Sequence, residues 1–103
     1  MGTDEPRAPA RNLPIGLDHY RSTPLFTEAT VPAALLNDHS TKKGVWGRIR
    51  LVSGRLRYVV TDDRRQPVTR ELQPDSEPAI IEPEILHRVE LVGPVHFQVE
   101  FWR

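Results

Sequence analysis

The sequence has no cysteine among its 103 residues. Without thiols the chain cannot form a disulfide, offer a thiolate nucleophile or bind zinc through cysteine. Disulfide-stapled scaffolds and cysteine-based catalysis are therefore excluded. The absence also fits a reducing compartment, so we expect a cytoplasmic protein.

An excess of charge of either sign is also missing, because 14 basic residues balance 14 acidic ones. A neutral balance gives no electrostatic footprint for nucleic acid or for an anionic membrane surface. No apolar run approaches the roughly 20 residues that a membrane-spanning helix needs, and the N-terminal stretch lacks the apolar segment of a signal peptide. We therefore expect a small-molecule partner, with no nucleic acid and no membrane.

Proline is plentiful, and its placement suggests how the chain is organised. The first 18 residues combine few bulky apolar groups with Pro6, Pro9 and Pro14. This composition predicts a flexible tail over residues 1–18, followed by a single domain over residues 19–103. Further prolines argue against a helix in residues 20–34, where we expect an extended edge segment and then a short turn at 33–36.

From residue 44 onward, apolar and polar side chains alternate with the period of β-strands. The alternation predicts strands over residues 45–52, 55–61, 68–72, 79–81, 87–92 and 95–102. Tight turns are expected at Ser53-Gly54 and at Gly93-Pro94. Short strands at near-regular spacing, with no convincing helix, are typical of an all-β sandwich or barrel.

Two histidines stand where such a domain could build an internal site. His39 precedes the first long strand and His87 begins a later one. Glu100 is the matching carboxylate candidate, because it lies within the last strand rather than in a solvated loop. Glu90 is a weaker candidate, since a regular strand would point it away from the side of His87. His96, on the strand face of Glu100, is an alternative to that carboxylate.

His39, His87 and Glu100 form a chemically coherent set of metal ligands. Imidazole and carboxylate suit zinc, iron, manganese or nickel, so the expected cofactor is one of these divalent metals. Three protein ligands would leave coordination positions open for water or substrate. Gln98 and Tyr58 are the hydrogen-bond partners expected to orient the imidazoles.

Each of these residues also has a plainer interpretation. His39 could cap a loop turn, and Glu100 could pair with Arg48 or Arg50 across the sheet. The arginines of the first two predicted strands could bind an anion. They could equally be solvated charges that protect a sheet edge against aggregation.

The chain resembles a known family through residues spread over about four fifths of its length. They are Arg21-Ser22-Thr23-Pro24, Phe26, Pro32-Ala33, Leu35-Leu36, His39, Thr41-Lys42, Gly44-Val45-Trp46, Gly54, Leu56, Tyr58, Pro83-Glu84, His87, Phe97 and Glu100-Phe101. These positions resemble the small cupin domains of the tellurite-resistance-protein-like (TehB/YeaR-like) group. The resemblance implies a cupin-type double-stranded β-helix, a jelly-roll barrel that often holds a metal.

The first cupin motif is incomplete in this chain. Most cupins place two histidines one residue apart there, followed by a glutamate, whereas here His39 stands alone with Thr41 and Lys42 nearby. The resemblance then implies a reduced site of His39, His87 and Glu100. The resulting hypothesis is a small cupin that holds a divalent metal with an open coordination position.

Two functional classes follow from this hypothesis, and both stay open at the level of the sequence. In one, the domain acts on or binds a small polar molecule, with a link to tellurite, other oxyanions or oxidative stress. In the other, it is a non-catalytic ligand-binding or structural β-barrel with a vestigial site. A homodimer through an exposed edge strand is a further expectation.

Overall fold

The computed structural model describes residues 5–103, and its regular elements are strands apart from one short 3₁₀ turn. The strands are β1 (His19–Ser22), β2 (Phe26–Thr27), β3 (Trp46–Val60), β4 (Val68–Leu72), β5 (Ala79–Ile81) and β6 (His87–Trp102), and the turn is Ala33–Leu36. This confirms the all-β prediction. Within residues 5–103, no helix has the length and hydropathy to cross a membrane.

The alternation along β6 produces the core. Its odd-numbered side chains Val89, Val95, Phe97 and Val99 are at most 5% exposed. They pack with apolar residues of β3 such as Ile49 and Leu56 in one cluster. Because successive side chains of a strand point to opposite faces, this one stripe sets which residues of β6 face inward.

β3 and β6 are continuous and pair with each other from Trp46↔Trp102 to Val60↔His87. The tight turns expected at residues 53–54 and 93–94 are therefore wrong. At those points the β3–β6 ladder shifts register, as in a β-bulge. Gly54 has φ 82°, and a Cβ there would lie 2.1 Å from the Pro94 carbonyl oxygen. Glycine is therefore required at position 54 because the two strands approach closely there, and not because the chain forms a hairpin turn.

The sheet is antiparallel, with the order β1-β6-β3-β4; β2 also pairs with β6, and β5 with β3. This pairing path has two ends, so the strand order defines an open sheet and does not by itself establish a jelly-roll barrel. β1 and β2 form one edge of the sheet, and β4 and β5 form the other. Dimerisation through one of them stays a prediction.

The segment before β1 runs against the sheet without joining it as a strand. The Gln66 N–H donates to the Arg7 carbonyl (2.8 Å), and the Ala10 N–H donates to the Glu82 carboxylate (2.7 Å). The Asp18 N–H donates to the Arg103 carbonyl (3.1 Å). Residues 1–4 lie outside the described part of the chain. The flexibility of the tail and the domain boundary near residue 18 stay predictions.

Candidate functional site

The fold brings the side chains of His39 and His87 next to each other. Each donates its backbone N–H to the carbonyl of the other, both at 2.9 Å, as in a hydrogen-bonded pair of antiparallel residues. The two imidazole centroids are 4.2 Å apart, with an angle of 59° between the ring planes. Residues 48 positions apart in sequence (87 − 39) thus form one side-chain pair.

The loop before β6 holds the His39 segment in place. Thr41 bridges to Pro83, and the Glu84 N–H donates to the Thr41 carbonyl at 3.0 Å. Glu84 has φ 66°, an unusual value for a residue with a side chain. Gly44, with φ 79°, then turns the chain back into β3. The backbone from 39 to 44 is therefore aligned by hydrogen bonds rather than by apolar packing.

Both imidazoles are oriented by the carbonyl two residues earlier in the chain. His39 Nδ1 lies 2.8 Å from the Asn37 oxygen, and His87 Nδ1 lies 2.9 Å from the Ile85 oxygen. A carbonyl can only accept, so each Nδ1 carries a proton and donates it. Nε2 of neither ring has a hydrogen-bond partner among the described residues, and on a neutral ring this nitrogen is an acceptor.

Tyr58 and Gln98, the side chains expected to orient the imidazoles, form hydrogen bonds elsewhere. The Tyr58 hydroxyl is directed at the Ile80 carbonyl (3.4 Å), and the Gln98 amide donates to the Thr23 carbonyl (3.2 Å). Sequence reasoning missed the two carbonyls, because a main-chain acceptor has no residue-type signature. The only signal for this arrangement in the sequence is that a pair of histidines lies next to a loop that contains proline.

His87 is held in its neutral form. Only 1% of the residue is exposed. The pKa of His87 is lowered to about 4, mainly by burial and also by the nearby His39, against the opposing effects of the Ile85 carbonyl and Asp38. The Tyr58 ring lies 5.7 Å from the imidazole, and burial also raises the pKa of its phenol. Near pH 7 the His87 ring is therefore an uncharged hydrogen-bonding group in an apolar surround.

The histidine pair lines a cavity of about 450 Å³. One part of its wall is apolar and comprises Leu35, Val45, Ile81, Val99 and Phe101. Another part is cationic and comprises Arg21, Lys42 and Arg103. The volume lies in the range of sites for small organic ligands.

Glu100 lies on the other face of the sheet. It follows His87 by thirteen positions (100 − 87) on one continuous strand, so the two side chains point to opposite sides. Its carboxylate accepts a hydrogen bond from Arg48 Nε at 2.7 Å and lies 3.9 Å from Arg50. Glu100 is 6% exposed and does not line the histidine cavity. Its plainer interpretation, a cross-strand ion pair, is the one that the structure shows.

The predicted divalent-metal cofactor is wrong. Residues 5–103 contain no group of three or more His, Asp or Glu side chains arranged to hold a metal ion. His39 and His87 meet, but Glu100 is directed at Arg48 on the opposite face. His96, the alternative ligand, is 3.0 Å from the Ser53 hydroxyl and also lies outside the cavity.

An antiparallel all-β domain with a histidine-lined cavity defines the class of this chain. Residues 21–99 match the sequence profile of the TehB-like domain. The chain therefore belongs to the TehB-like family, and the resemblance seen in its sequence is confirmed.

Two curated relatives show the domain in different settings. The "Probable S-adenosyl-L-methionine-dependent methyltransferase TehB" of Haemophilus influenzae is 28% identical over 75 residues, which cover 72% of this chain and 26% of that protein. The "Uncharacterized protein YeaR" of Escherichia coli K12 is 27% identical over 96 residues, covering 87% of this chain and 81% of that one. The chain thus spans about a quarter of TehB and most of YeaR.

Solved structures share the fold. The crystal structure of TehB from Haemophilus influenzae superposes with a TM-score of 0.76 at 25% identity, covering 84% of this chain and 31% of the other. A crystal structure from Escherichia coli K12 gives a TM-score of 0.78 at 25% identity, covering 89% and 95%. The name of TehB specifies S-adenosyl-L-methionine as the cofactor of that protein.

Proposed function

We propose that the chain is a small-molecule-binding module whose ligand sits in the cavity lined by His39 and His87. The observation that carries this proposal is that both imidazoles line one cavity and that Nε2 of neither has a described protein partner. A ligand can hydrogen-bond there in place of water. The hydrogen bonds from the two Nδ1 atoms to carbonyls fix both rings in advance, which lowers the entropy lost on binding.

A cupin-type barrel is the form in which we propose that this sheet encloses its ligand. β1 and β5 lie on opposite sides of the central β3–β6 pair. Residues from both, Arg21 and Ile81, nevertheless line the same cavity. A sheet that curls over itself explains this shared wall, and the bulges in the β3–β6 ladder supply the curvature.

The cavity does not fit S-adenosylmethionine, the cofactor in the name of TehB. That molecule carries a sulfonium, an ammonium and one carboxylate, so its net charge is positive, whereas Arg21 and Lys42 line this cavity and no described Asp or Glu does. Like charges in a confined site repel. We therefore propose that this module binds a different ligand, and that methyl transfer belongs to the part of TehB without a counterpart here. A link to tellurite or oxidative stress stays a prediction.

The four histidines of the chain provide a built-in test by NMR of their imidazole resonances. His39 and His87 line the cavity, whereas His19 and His96 do not. In a screen of small anionic, neutral and cationic compounds, we expect binders to shift the His39 and His87 resonances only. A His87→Leu variant should lose this binding, while a His96→Leu variant should keep it. If no compound in the screen shifts the His39 and His87 resonances, the result would instead favour a purely structural barrel.

A further inference from the structure

The charges around the cavity are unevenly arranged. Arg21, Lys42 and Arg103 line it, and none of them forms an ion pair with a described acidic side chain. The guanidinium of Arg103 lies over the Tyr20 ring, 4.0 Å from its centroid. Elsewhere carboxylates pair with Arg48, Arg57, Arg64, Arg65 and Arg88, although exposed cations such as Lys43 and Arg55 also form no ion pair among the described residues. What sets the cavity apart is that its lining has cationic side chains and no described Asp or Glu. Cationic groups without carboxylates on one cavity wall favour an anion.

The apolar wall narrows the class of anion. Leu35, Val45 and Phe101 are partly exposed and line the same space as the cations. A bare inorganic ion would leave this wall without a contact, whereas an organic body would cover it. Burial of apolar surface contributes about 25 cal/mol per Å². The wall therefore favours an anion that carries an apolar or aromatic body.

The histidines add a third requirement. Because its Nδ1 donates to the Ile85 carbonyl, the neutral ring of His87 can only accept at Nε2. A ligand that satisfies this acceptor needs a hydroxyl or N–H group. We propose that the cavity binds a small organic anion with an apolar body and a hydrogen-bond donor. Its anionic end would meet Arg21 and Lys42 and its donor the histidine pair. This inference rests on the proposed function of the cavity.

The test is a charge series on one molecular body. The probes are 4-hydroxybenzoate, 4-hydroxybenzamide and 4-hydroxybenzylammonium, with benzoate to remove the donor and inorganic phosphate to remove the body. Affinity is measured by titration of the His39 and His87 imidazole resonances. We expect 4-hydroxybenzoate to bind at least about tenfold more tightly than each of the other probes, since a charged hydrogen bond contributes about 1.5–3 kcal/mol.

Adjacent lysines supply a matched pair of variants. Lys42 lines the cavity and Lys43 does not, and both are exposed, so neither substitution should disturb folding. Lys42→Gln should weaken 4-hydroxybenzoate binding about tenfold. Lys43→Gln should change it less than about twofold, as expected for a solvated charge. Equal losses in the two variants would reduce the effect to general electrostatics and overturn the assigned contact.

The remaining outcomes separate the two proposals. If the amide or the ammonium compound binds the histidine pair as tightly as the acid, the anion inference is overturned while the cavity remains a ligand site. Binding of phosphate at equal strength would overturn the apolar body, and equal binding of benzoate the donor. If all five probes leave His39 and His87 unchanged, the inference fails. The proposed function fails with it only when the wider screen is silent too.

Discussion

Two buried titratable side chains, Asp62 and His87, lie close together in the fold but differ in how many hydrogen bonds they make. They are 4% and 1% exposed. Asp62 accepts the N–H of Leu86, the residue just before His87, at 2.9 Å. It also accepts the backbone N–H of Arg64 (2.9 Å) and two guanidinium contacts from it (2.9 and 2.7 Å). His87 makes one side-chain hydrogen bond, to Ile85.

The difference lies in unused hydrogen-bonding capacity. The Arg64 guanidinium, the largest cause, holds the pKa of Asp62 far below its usual range, and four donors occupy its two oxygens. Burial keeps His87 neutral with one acceptor still available. A fully satisfied buried charge ties the loop before β6 to the loop after β3, which is an architectural role. A buried group with spare capacity is suited to a ligand.

Removing the architectural member should have the largest effect. Asp62→Ala leaves the Leu86 N–H without its acceptor and releases Arg64, so we expect the free energy of unfolding to fall by about 3 kcal/mol. Urea denaturation monitored by circular dichroism measures this loss. The matched control is Asp63→Ala at the adjacent, exposed position, which should stay within about 0.5 kcal/mol of the parent.

A second measurement on the same two variants tests the contrast between Asp62 and His87. Asp62 aligns the backbone that leads into His87, so Asp62→Ala should also shift the His87 imidazole resonances. If Asp62→Ala and Asp63→Ala unfold at the same denaturant concentration, the loop is held by other contacts and Asp62 has no special architectural role.

His87 and Asp62 should lose their contributions to stability in different pH ranges. The pKa of His87 falls from 6.5 in the unfolded chain to about 4 in the folded protein, so between these values the unfolded chain binds more protons. Stability should therefore decrease by about 2–3 kcal/mol as the pH falls from 6.5 to 4. The lowered pKa of Asp62 acts further down, because its stabilisation is present above about pH 4 and is lost below it.

The His87→Leu variant isolates the histidine contribution. Denaturation measured at intervals from pH 3 to pH 8 should show a weaker slope between pH 6.5 and 4 in this variant than in the parent. Both proteins should still lose stability at lower pH through Asp62. Superimposable curves above pH 4 would mean that His87 can take up its proton in the folded state without penalty.

The smallest effect is expected at the carboxylate that sequence reasoning placed in the site. Glu100→Gln weakens a partly buried ion pair with Arg48, so it should lower stability by only about 1 kcal/mol. It should leave ligand binding at the His39–His87 cavity unchanged, because Glu100 lies on the other face of the sheet. Glu71→Gln at an exposed position is its control. A tenfold loss of ligand affinity in Glu100→Gln would show that the two faces are coupled.

The sequence predicted the strands better than their connections. Alternation in residues 95–102 predicts a strand, and Phe97 and Val99, which share one of its faces, lie in the core, since a period of two is a local property. Ser53-Gly54 and Gly93-Pro94 carry the residue types of tight turns, but the same types also suit bulges. Which one forms depends on whether a long partner strand is available to pair through that point.

The same limit explains the outcome for the site. Sequence reasoning selected His39 and His87, and the structure brings them together; it also selected Glu100, which pairs with Arg48. On the one continuous strand β6, the odd spacing from His87 excludes Glu100 from the inner face. Because the sequence predicts a turn at Gly93-Pro94, it does not relate the face of His87 to the face of Glu100.

By itself, the sequence determined the all-β class, the family and the alternating faces, because these depend on composition and on neighbours two positions apart. Only the tertiary structure decided that His39 opposes His87, that their Nδ1 atoms are engaged by carbonyls, and that Arg48 engages Glu100. The physical reason is that register between distant strands is set by the sum of all ladder hydrogen bonds and core contacts. A shift of one residue in that register would turn each side chain to the other face.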